Sequence, residues 1–390
     1  MGKSGIPGFA RLRRRNKKMK ILFFHRWTGV HFGGTENHVT NLMEHLTVRG
    51  HDVSLLTRQG PRTGLFGVKI KVFVVGKNLH ESDHSYETPI PLYFHTFLFM
   101  IKSFFLLCYL RVFRGLAFDV ISVHFATEAV VARLFRFLFG TPYVFVQEGY
   151  TFLEANEAKK ADASIAISED MVRNIRKIHG YQPKYLPVGV GLERFNLEID
   201  GTEERRINIG RFEKLIISVG RIEPRKDYPT LIEAARIIKQ KNLHFRFLIV
   251  GDGIDYDKID RNIKSLGLAE EVLMLGAVSE EEKAKLYRAC DLFVLPTLYE
   301  GFGIVFVEAM ASGLPVVSTD VGAVAEVVDG AGVLVGPRDP HALAMAIEEV
   351  AEDVNLYNKL KSKAVVAAQN YDWNKLIVEY ESVYQSVIKK

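Results

Sequence analysis

Short apolar runs alternate with longer amphipathic stretches along most of the chain. The apolar runs predict buried parallel strands, and the stretches between them repeat their hydrophobic positions at helical spacing. The predicted strands are Lys20–Phe24, Asp52–Leu56, Lys69–Val74, Asp119–Val123, Tyr143–Val146, Ala163–Ile167, Leu215–Val219, Phe245–Val250, Val272–Leu275, Leu292–Leu295, Val316–Ser318 and Gly332–Val335. Predicted helices between them include Glu36–Val48, Tyr228–Lys239, Ser279–Ala289 and His341–Glu352. This order predicts an α/β protein with two doubly wound domains.

Length and composition agree with two domains. The chain has 390 residues and is 48% hydrophobic, enough for each half to bury its own core. Proline and glycine cluster in Leu186–Phe195, which predicts a seam there, between domains 19–188 and 189–370. Cys108 and Cys290 lie in apolar surroundings, which indicates core residues of a reducing, cytoplasmic compartment. No Cys/His cluster has metal-ligand spacing, so we expect neither a metal nor a cofactor.

The formal net charge of +5 is carried by the N-terminus. Residues 1–18 contain seven Lys or Arg residues and no acid, so the rest of the chain is close to neutral. One interpretation of this basic tail is an arm for a membrane or a nucleic acid. The other is an extension upstream of the natural start, because Met19–Phe24 has the pattern of a protein start. No nucleic-acid partner is expected for the folded body.

Residues 296–317 carry the densest candidate chemistry. Glu300 and Glu308 stand eight positions apart, and a predicted helix begins at Ile304. The glycine-flanked turn between them contains Gly301, Phe302 and Gly303. Such a turn leading into a helix N-terminus favours the binding of a diphosphate. Glu308 lies on an otherwise apolar helix, so we expect it to meet a ligand or a cation, with a ribose as a good candidate. The alternative is an ordinary acidic residue on a solvated helix.

Two further loops follow predicted strands in the second half. After Leu215–Val219 come Arg221 and Lys226, whose charges suit phosphate oxygens, although a solvated basic turn has the same composition. Arg225 is adjacent and could share the role of Lys226. After Phe245–Val250 come Gly251, Asp252 and Gly253, which permit close approach of a nucleotide but are also common in turns.

Residues 296–317 resemble the Glu–seven–Glu signature of retaining glycosyltransferases of family 4. The resemblance extends over about residues 19–390 and implies the GT-B fold, two Rossmann-like domains that face each other across a cleft. It implies that Glu300 contacts the donor sugar and Glu308 the nucleotide ribose. It further implies that Arg221 and Lys226 hold the donor diphosphate and that backbone groups near Val278 meet the base. Residues 371–390 resemble the terminal helix that crosses back to the first domain.

The first half resembles the family less closely. Gly33 and Gly34 match a loop near the donor phosphates and the acceptor, and His124 matches a histidine beside the reacting sugar. The alternative for His124 is a hydrogen-bonded core histidine. Glu148 stands where many relatives have a His-Gly pair, so its role is open, and Val188 replaces a usual Asn.

The resemblance implies transfer of a sugar from a nucleotide-diphosphate sugar to a hydroxyl acceptor, which is a glycan or a lipid-linked molecule. The expected mechanism is electrostatic, retains the anomeric configuration and needs no metal. The pattern does not separate UDP, GDP and ADP donors. Two alternatives stay open: a non-catalytic scaffold subunit that binds nucleotide sugars, and another GT-B enzyme such as a nucleotide-sugar epimerase.

One apolar segment raises the question of a membrane. Ile90–Leu110 is long enough to span a bilayer, but Lys102 is central and the segment lies between strands of one predicted sheet. We therefore expect a partly exposed core helix. With the aromatic and basic stretch Leu134–Phe139 and the N-terminal tail, it predicts peripheral contact at the inner membrane face. Two ordinary core helices are the alternative.

Overall fold

The computed structural model describes residues 17–26, 34–58, 67–76, 89–149, 151–195 and 212–388. Most of the basic tail and Gly33 lie outside these residues. The chain divides into two compact units. The first contains the described parts of Met1–Gln147, Thr151–Ile165 and Glu379–Lys390, and the second contains those of Glu148–Tyr150 and Ala166–Val378. The predicted seam at residue 188 thus falls inside the second unit.

The first sheet is built from the strands of the N-terminal half and is parallel where β1 pairs with β2 and β4. Its strand order is β3-β2-β1-β4-β5-β6-β7. The elements are β1 (Lys20–Phe24), α1 (Gly34–Val48), β2 (Asp52–Thr57), β3 (Lys71–Val74), α2 (Pro89–Val112), β4 (Val120–Val123), α3 (Ala126–Phe139), β5 (Tyr143–Gln147), α4 (Phe152–Ala158), β6 (Ala163–Ala166), α5 (Glu169–His179) and β7 (Lys184–Tyr185).

The second sheet is parallel at every pairing, with the order β10-β9-β8-β11-β12-β13. Its elements are β8 (Lys214–Val219), α6 (Tyr228–Gln240), β9 (Phe245–Val250), α7 (Tyr256–Ser265), β10 (Val272–Gly276), α8 (Glu280–Ala289), β11 (Leu292–Leu295), α9 (Ile304–Ala311), β12 (Val316–Thr319), α10 (Val324–Val328), β13 (Gly332–Val335), α11 (Pro340–Glu352), α12 (Val354–Ala368) and α13 (Trp373–Ile388).

The predicted α/β class with two doubly wound sheets is confirmed. The differences lie at element ends. Asp119, predicted to begin a strand, instead accepts the Lys20 backbone N–H with its side chain at 2.7 Å, and β4 begins one residue later. The two-residue strand Lys184–Tyr185 was not predicted, because it is too short to show a period.

The strand order reverses once in each sheet, and ligands of open α/β sheets bind beyond the carboxyl ends of the strands at that point. In the second sheet the reversal lies between β8 and β11. The loop after β8 carries Arg221 and Lys226, and the loop after β11 carries Glu300. The topology of the second unit therefore brings these two loops to one edge of its sheet.

The start of the C-terminal helix packs against the segment around Gly189. Trp373 is fully buried, and a Cβ on Gly189 would lie 2.3 Å from its indole ring. The Val190 N–H donates to the Tyr371 carbonyl at 2.7 Å, which holds the two segments side by side. Only a residue without a side chain fits at position 189.

Replacing Gly189 with Ala is therefore expected to lower the free energy of unfolding by about 1–3 kcal/mol through overpacking against Trp373. Urea unfolding monitored by tryptophan fluorescence measures the loss. Gly336→Ala is the matched control, because a Cβ there would meet no atom within 4 Å. Equal unfolding midpoints for both variants would contradict this account of the packing.

Candidate active site

A buried ion pair joins the loops that follow β8 and β11. Lys226 is 7% exposed and Glu300 is 5% exposed, and the Lys226 ammonium donates to Oε1 of Glu300. Lys226 ends a short 3₁₀ turn, Pro224–Lys226. Since an isolated buried charge is costly, each of these side chains requires the other.

Backbone contacts fix the relative position of the same two loops. The Arg225 carbonyl accepts from the Leu298 N–H at 2.7 Å and from the Thr297 hydroxyl at 3.1 Å. The Glu300 carbonyl accepts from the Ala323 N–H at 3.0 Å. A Cβ at Gly322 would lie 2.3 Å from that carbonyl oxygen, so glycine is needed for this approach. The carboxylate of Glu300 is thus held by its own backbone as well as by Lys226.

Gly301, Phe302 and Gly303 make the turn into α9. Phe302 is buried and packs edge-on against the Tyr371 ring, with centroids 5.3 Å apart. Gly303 precedes the helix with φ +89°, and a Cβ there would meet the Phe306 ring at 2.5 Å. Among the residues that the structure describes, no side chain caps this helix. Its first N–H groups therefore keep their capacity to donate to an anion.

Glu308 lies inside α9 and is buried among polar partners that the sequence analysis did not identify. The Lys283 ammonium donates to its Oε1 at 2.9 Å, and the Tyr287 hydroxyl donates to its Oε2 at 3.0 Å. Lys283 also donates to Glu280 at 3.0 Å. The expectation that Glu308 meets a cation is satisfied within the protein by Lys283. Since Lys283 and Tyr287 are four residues apart on α8, their spacing places them on one face of that helix.

Burial raises the pKa of Glu308, although Lys283 and the Tyr287 hydroxyl act in the opposite direction. Burial lowers the pKa of Lys283, but Glu308 and Glu280 outweigh it, so the net shift is upward. Burial and the adjacent Glu308 raise the pKa of Tyr287 well above its ordinary value. Lys283 and Tyr287 therefore stay protonated and can both donate to Glu308.

The glycines of the loop after β9 have a packing role in addition to the predicted ligand role. A Cβ at Gly251 would lie 2.0 Å from the Gly220 carbonyl oxygen, and one at Gly253 would lie 2.3 Å from that of Ile222. The Asp252 carbonyl accepts from the Ile222 N–H at 2.9 Å, while the residue itself is exposed. These contacts hold the loop after β9 against the loop that carries Arg221.

Arg221 and Arg225 differ in how they are held. The Arg225 guanidinium donates to Oε1 of Glu223 at 3.1 and 2.8 Å. Arg221 lies 3.8 Å from the other oxygen of Glu223, and its side chain is 54% exposed. Arg221 is therefore the more accessible of the two for an anionic ligand. Val278 is half-buried just before Ser279, whose hydroxyl accepts from the Glu282 N–H and caps α8.

In the first unit the predicted site residues lie at the start of α1 and after β4. Gly34 is exposed at the first position of α1. His124 is buried, and its ring centroid lies 5.5 Å from that of His25 and 6.1 Å from that of His38. Sequence reasoning missed the other two histidines of this cluster. Burial, and then His124, Arg26 and His38, lower the pKa of His25 well below its ordinary value, so His25 is neutral at physiological pH.

Two protein families match adjacent parts of the chain. Residues 32–194 match the family described as Glycosyltransferase Family 4, and residues 201–365 match Glycosyl transferases group 1. The chain belongs to the family 4 glycosyltransferases.

Curated relatives of this glycosyltransferase include proteins of Methanocaldococcus jannaschii and Corynebacterium urealyticum. The chain is 31% identical to an uncharacterized glycosyltransferase of Methanocaldococcus jannaschii. That match covers 50% of this chain and 52%, about half, of the relative. The chain is 25% identical to a D-inositol 3-phosphate glycosyltransferase of Corynebacterium urealyticum over 91% of each protein.

Solved structures similar to this glycosyltransferase have the GT-B fold. Sucrose-phosphate synthase from Thermosynechococcus elongatus matches with a TM-score of 0.80 and 20% identity, over 95% of this chain and 100% of that one. Anabaena HepE in complex with UDP-glucose matches with a TM-score of 0.76 and 20% identity, over 94% and 100%. The predicted GT-B fold, with two Rossmann-like domains, is confirmed.

The buried contacts of Glu308 predict how this glycosyltransferase responds to the loss of Lys283. Lys283→Met is expected to lower the free energy of unfolding by about 3–5 kcal/mol at neutral pH, because it leaves a buried carboxylate without its counter-charge. The pKa of Glu308 is above its ordinary value of 4.5 in the folded protein. Because Lys283 lowers that pKa, we expect it to be higher still in the variant. As the pH falls, the folded variant therefore takes up a proton before the wild type does, so the loss should shrink.

Urea unfolding of wild type and variant between neutral pH and about pH 5 measures this dependence. Lys285→Met is the matched control, because Lys285 lies on the same helix in an exposed pair with Glu281. It should change stability little at any pH. A loss from Lys283→Met that stays constant across this range would contradict the assigned role of Lys283.

Proposed function

We propose that the protein is a retaining hexosyltransferase that moves a sugar from a nucleotide-diphosphate sugar to a hydroxyl acceptor. The observation that carries the proposal is the buried Lys226–Glu300 pair at the strand-order reversal, beside Arg221 and the uncapped start of α9. This arrangement places Lys226, Arg221 and the N–H donors of the helix start around the carboxylate of Glu300. It suits a ligand that has a diphosphate at one end and hydroxyl groups at the other.

The diphosphate is assigned to Arg221, Lys226 and the N–H groups that follow Gly303. Departure of the nucleoside diphosphate is the main barrier of the reaction, and these groups stabilise the charge that develops on it. Since two fixed cations and a helix N-terminus supply this stabilisation, we propose that the reaction needs no metal. Solved complexes of Anabaena HepE with UDP and with UDP-glucose support the choice of a nucleotide donor.

Glu308 is assigned to the nucleotide ribose and the backbone around Val278 to the base. A carboxylate offers about four lone-pair sites, and Lys283 and Tyr287 occupy two of those on Glu308. The remaining sites can accept from two vicinal hydroxyl groups. Because Lys283 and Tyr287 hold the carboxylate in place, it needs no reorganisation when the ribose binds. Gly251, Asp252 and Gly253 complete the proposed donor loop.

Glu300 is assigned to hydroxyl groups of the donor sugar. In the proposed mechanism the acceptor attacks the face from which the diphosphate leaves, and the departing phosphate takes the acceptor proton. No side chain then has to act as the general base, and the anomeric configuration is retained. The acceptor, a glycan or a lipid-linked hydroxyl compound, is assigned to the first unit. Gly33 and Gly34 are the proposed contacts of the donor phosphates and the acceptor, and His124 is the proposed neighbour of the reacting sugar. We place the enzyme in the cytoplasm.

Arg221→Ala is expected to reduce kcat/KM for the donor by about 10²-fold, because it removes a cation that stabilises the leaving diphosphate. Turnover of UDP-, GDP- and ADP-glucose, with water or a hydroxyl acceptor, is followed by proton NMR, which also reports the anomer formed. The wild type should consume at least one donor with retention.

Arg225→Ala is the matched control, since Arg225 is adjacent in sequence but pairs with Glu223. It should keep turnover within a few-fold of wild type. Equal losses in the two variants would contradict the assignment of the diphosphate. An inverted product would contradict retention, and donor binding without consumption would favour the scaffold subunit.

A further inference from the structure

Helix α2 of the first unit has one face packed into the protein. The inward residues Phe99, Ser103, Leu107 and Leu110 recur every three or four positions and are buried. The Phe99 ring packs against that of Phe24 on β1, with centroids 5.7 Å apart. Phe99 thus anchors α2 on the sheet near the middle of the helix, and Leu107 and Leu110 are buried near its end.

The opposite face of α2 is apolar too, although it is exposed. Phe97, Ile101, Phe105, Tyr109 and Phe113 follow one another at four-residue spacing, and Phe105 and Phe113 are 66% and 75% exposed. A surface helix of a soluble protein normally carries polar residues on its outer face. A continuous row of exposed aromatic and aliphatic side chains instead marks an interaction surface.

The apolar surface continues onto the neighbouring helices. Helix α3, which packs beside α2, exposes Leu134, Phe137 and Leu138, and Phe137 is 87% exposed. Helix α4, beside α3, exposes Phe152 and Leu153. Together, the exposed apolar residues of α2, α3 and α4, with Phe113 directly after α2, form the aromatic face: Phe94, Phe97, Ile101, Phe105, Tyr109, Val112, Phe113, Leu134, Phe137, Leu138, Phe152 and Leu153.

The charges on α2 are all of one sign. From Pro89 to Phe118 the chain contains no Asp or Glu, but it contains Lys102, Arg111 and Arg114. Lys102 and Arg114 are exposed and follow directly after Ile101 and Phe113 of the aromatic face. Aromatic and aliphatic side chains bordered by Lys and Arg are typical of helices that lie in the interface of an anionic bilayer.

We propose that the aromatic face docks on an anionic lipid bilayer, with α2 lying in the plane of the interface. Phe94–Val112 is long and apolar enough to cross a membrane by length and composition, and only 22% of this window is buried. However, a helix that packs on β1 through Phe99 cannot also leave the protein to span a bilayer. A second copy of this chain is a poorer occupant, because pairing two aromatic faces would bring like charges together.

Docking through the aromatic face bears on the acceptor class. The surface lies on the first unit, to which the acceptor is assigned, so we infer that the acceptor is lipid-linked rather than a free glycan. This last step rests on the proposed function. The docking itself does not, because it is measured without any donor or acceptor.

Flotation of the full chain with lipid vesicles tests the docking. Vesicles of phosphatidylcholine alone are compared with vesicles that contain about 30% phosphatidylglycerol, since binding should require anionic lipid. Phe105→Ser/Tyr109→Ser is expected to weaken binding to the anionic vesicles about tenfold or more, because it removes two exposed rings from the face. Lys102→Glu/Arg114→Glu should weaken it as strongly.

Val354→Ser/Val366→Ser is the matched control, because it removes two exposed apolar side chains from α12 of the second unit. It should bind like wild type, and all variants should keep the wild-type unfolding midpoint. Wild-type binding by Phe105→Ser/Tyr109→Ser would overturn the proposal and would point to the N-terminal tail, which that variant retains.

Two other results would also overturn the proposal. The first is a lipid-free dimer that dissociates in Phe105→Ser/Tyr109→Ser, which would make a second copy the occupant. The second is resistance of the vesicle-bound protein to alkaline carbonate extraction, which would indicate a spanning helix. If the protein docks but transfers sugar only to soluble glycans, the docking stands and the lipid-linked acceptor is wrong.

Discussion

The buried ion pair between Lys226 and Glu300 is the constraint on which the candidate site depends. Neither charge is tolerable alone in its surroundings, so the loops after β8 and β11 must adopt the positions that bring them together. The hydrogen bonds from Leu298 and Thr297 to the Arg225 carbonyl, and the close approach of Gly322 to Glu300, reinforce that position. A charged site is thus assembled before any ligand arrives.

A second buried ion pair lies one helical turn into α9 and fixes a carboxylate in the same way. Glu308 is held by Lys283 and Tyr287 of α8, so each carboxylate of the signature has its own ammonium partner. Since pairing compensates both negative charges, the accessible Arg221 and the uncapped start of α9 remain to attract an anion. Fixed dipoles and charges of this kind lose little energy to reorganisation when a diphosphate binds or departs.

The α/β class could be predicted from the sequence, because strand and helix periods are local. Glu308 could be singled out as a candidate, because a carboxylate in an apolar helix is conspicuous, and the functional roles of Glu300 and Glu308 stay predictions. Lys283, the partner of Glu308, could not be predicted from the sequence. Lys283 lies in the run Glu280–Lys285, in which five of six residues are charged, as is typical of a solvated helix. Only the packing of α8 against α9 shows that Lys283 is buried. The cluster of His25, His38 and His124 was not predicted either, because its members come from three separate parts of the chain and only the fold brings them together.

The most direct test of the central role of the ion pair is a double-mutant cycle on donor turnover. Lys226→Met, Glu300→Gln and the double variant are compared with wild type, using the donor that the wild type consumes. We expect each single change to reduce kcat by about 10²-fold or more and the double change to be no worse than the more damaging single one, because the two residues act as a unit. Near-normal turnover in either single variant, or losses that multiply in the double variant, would contradict the account.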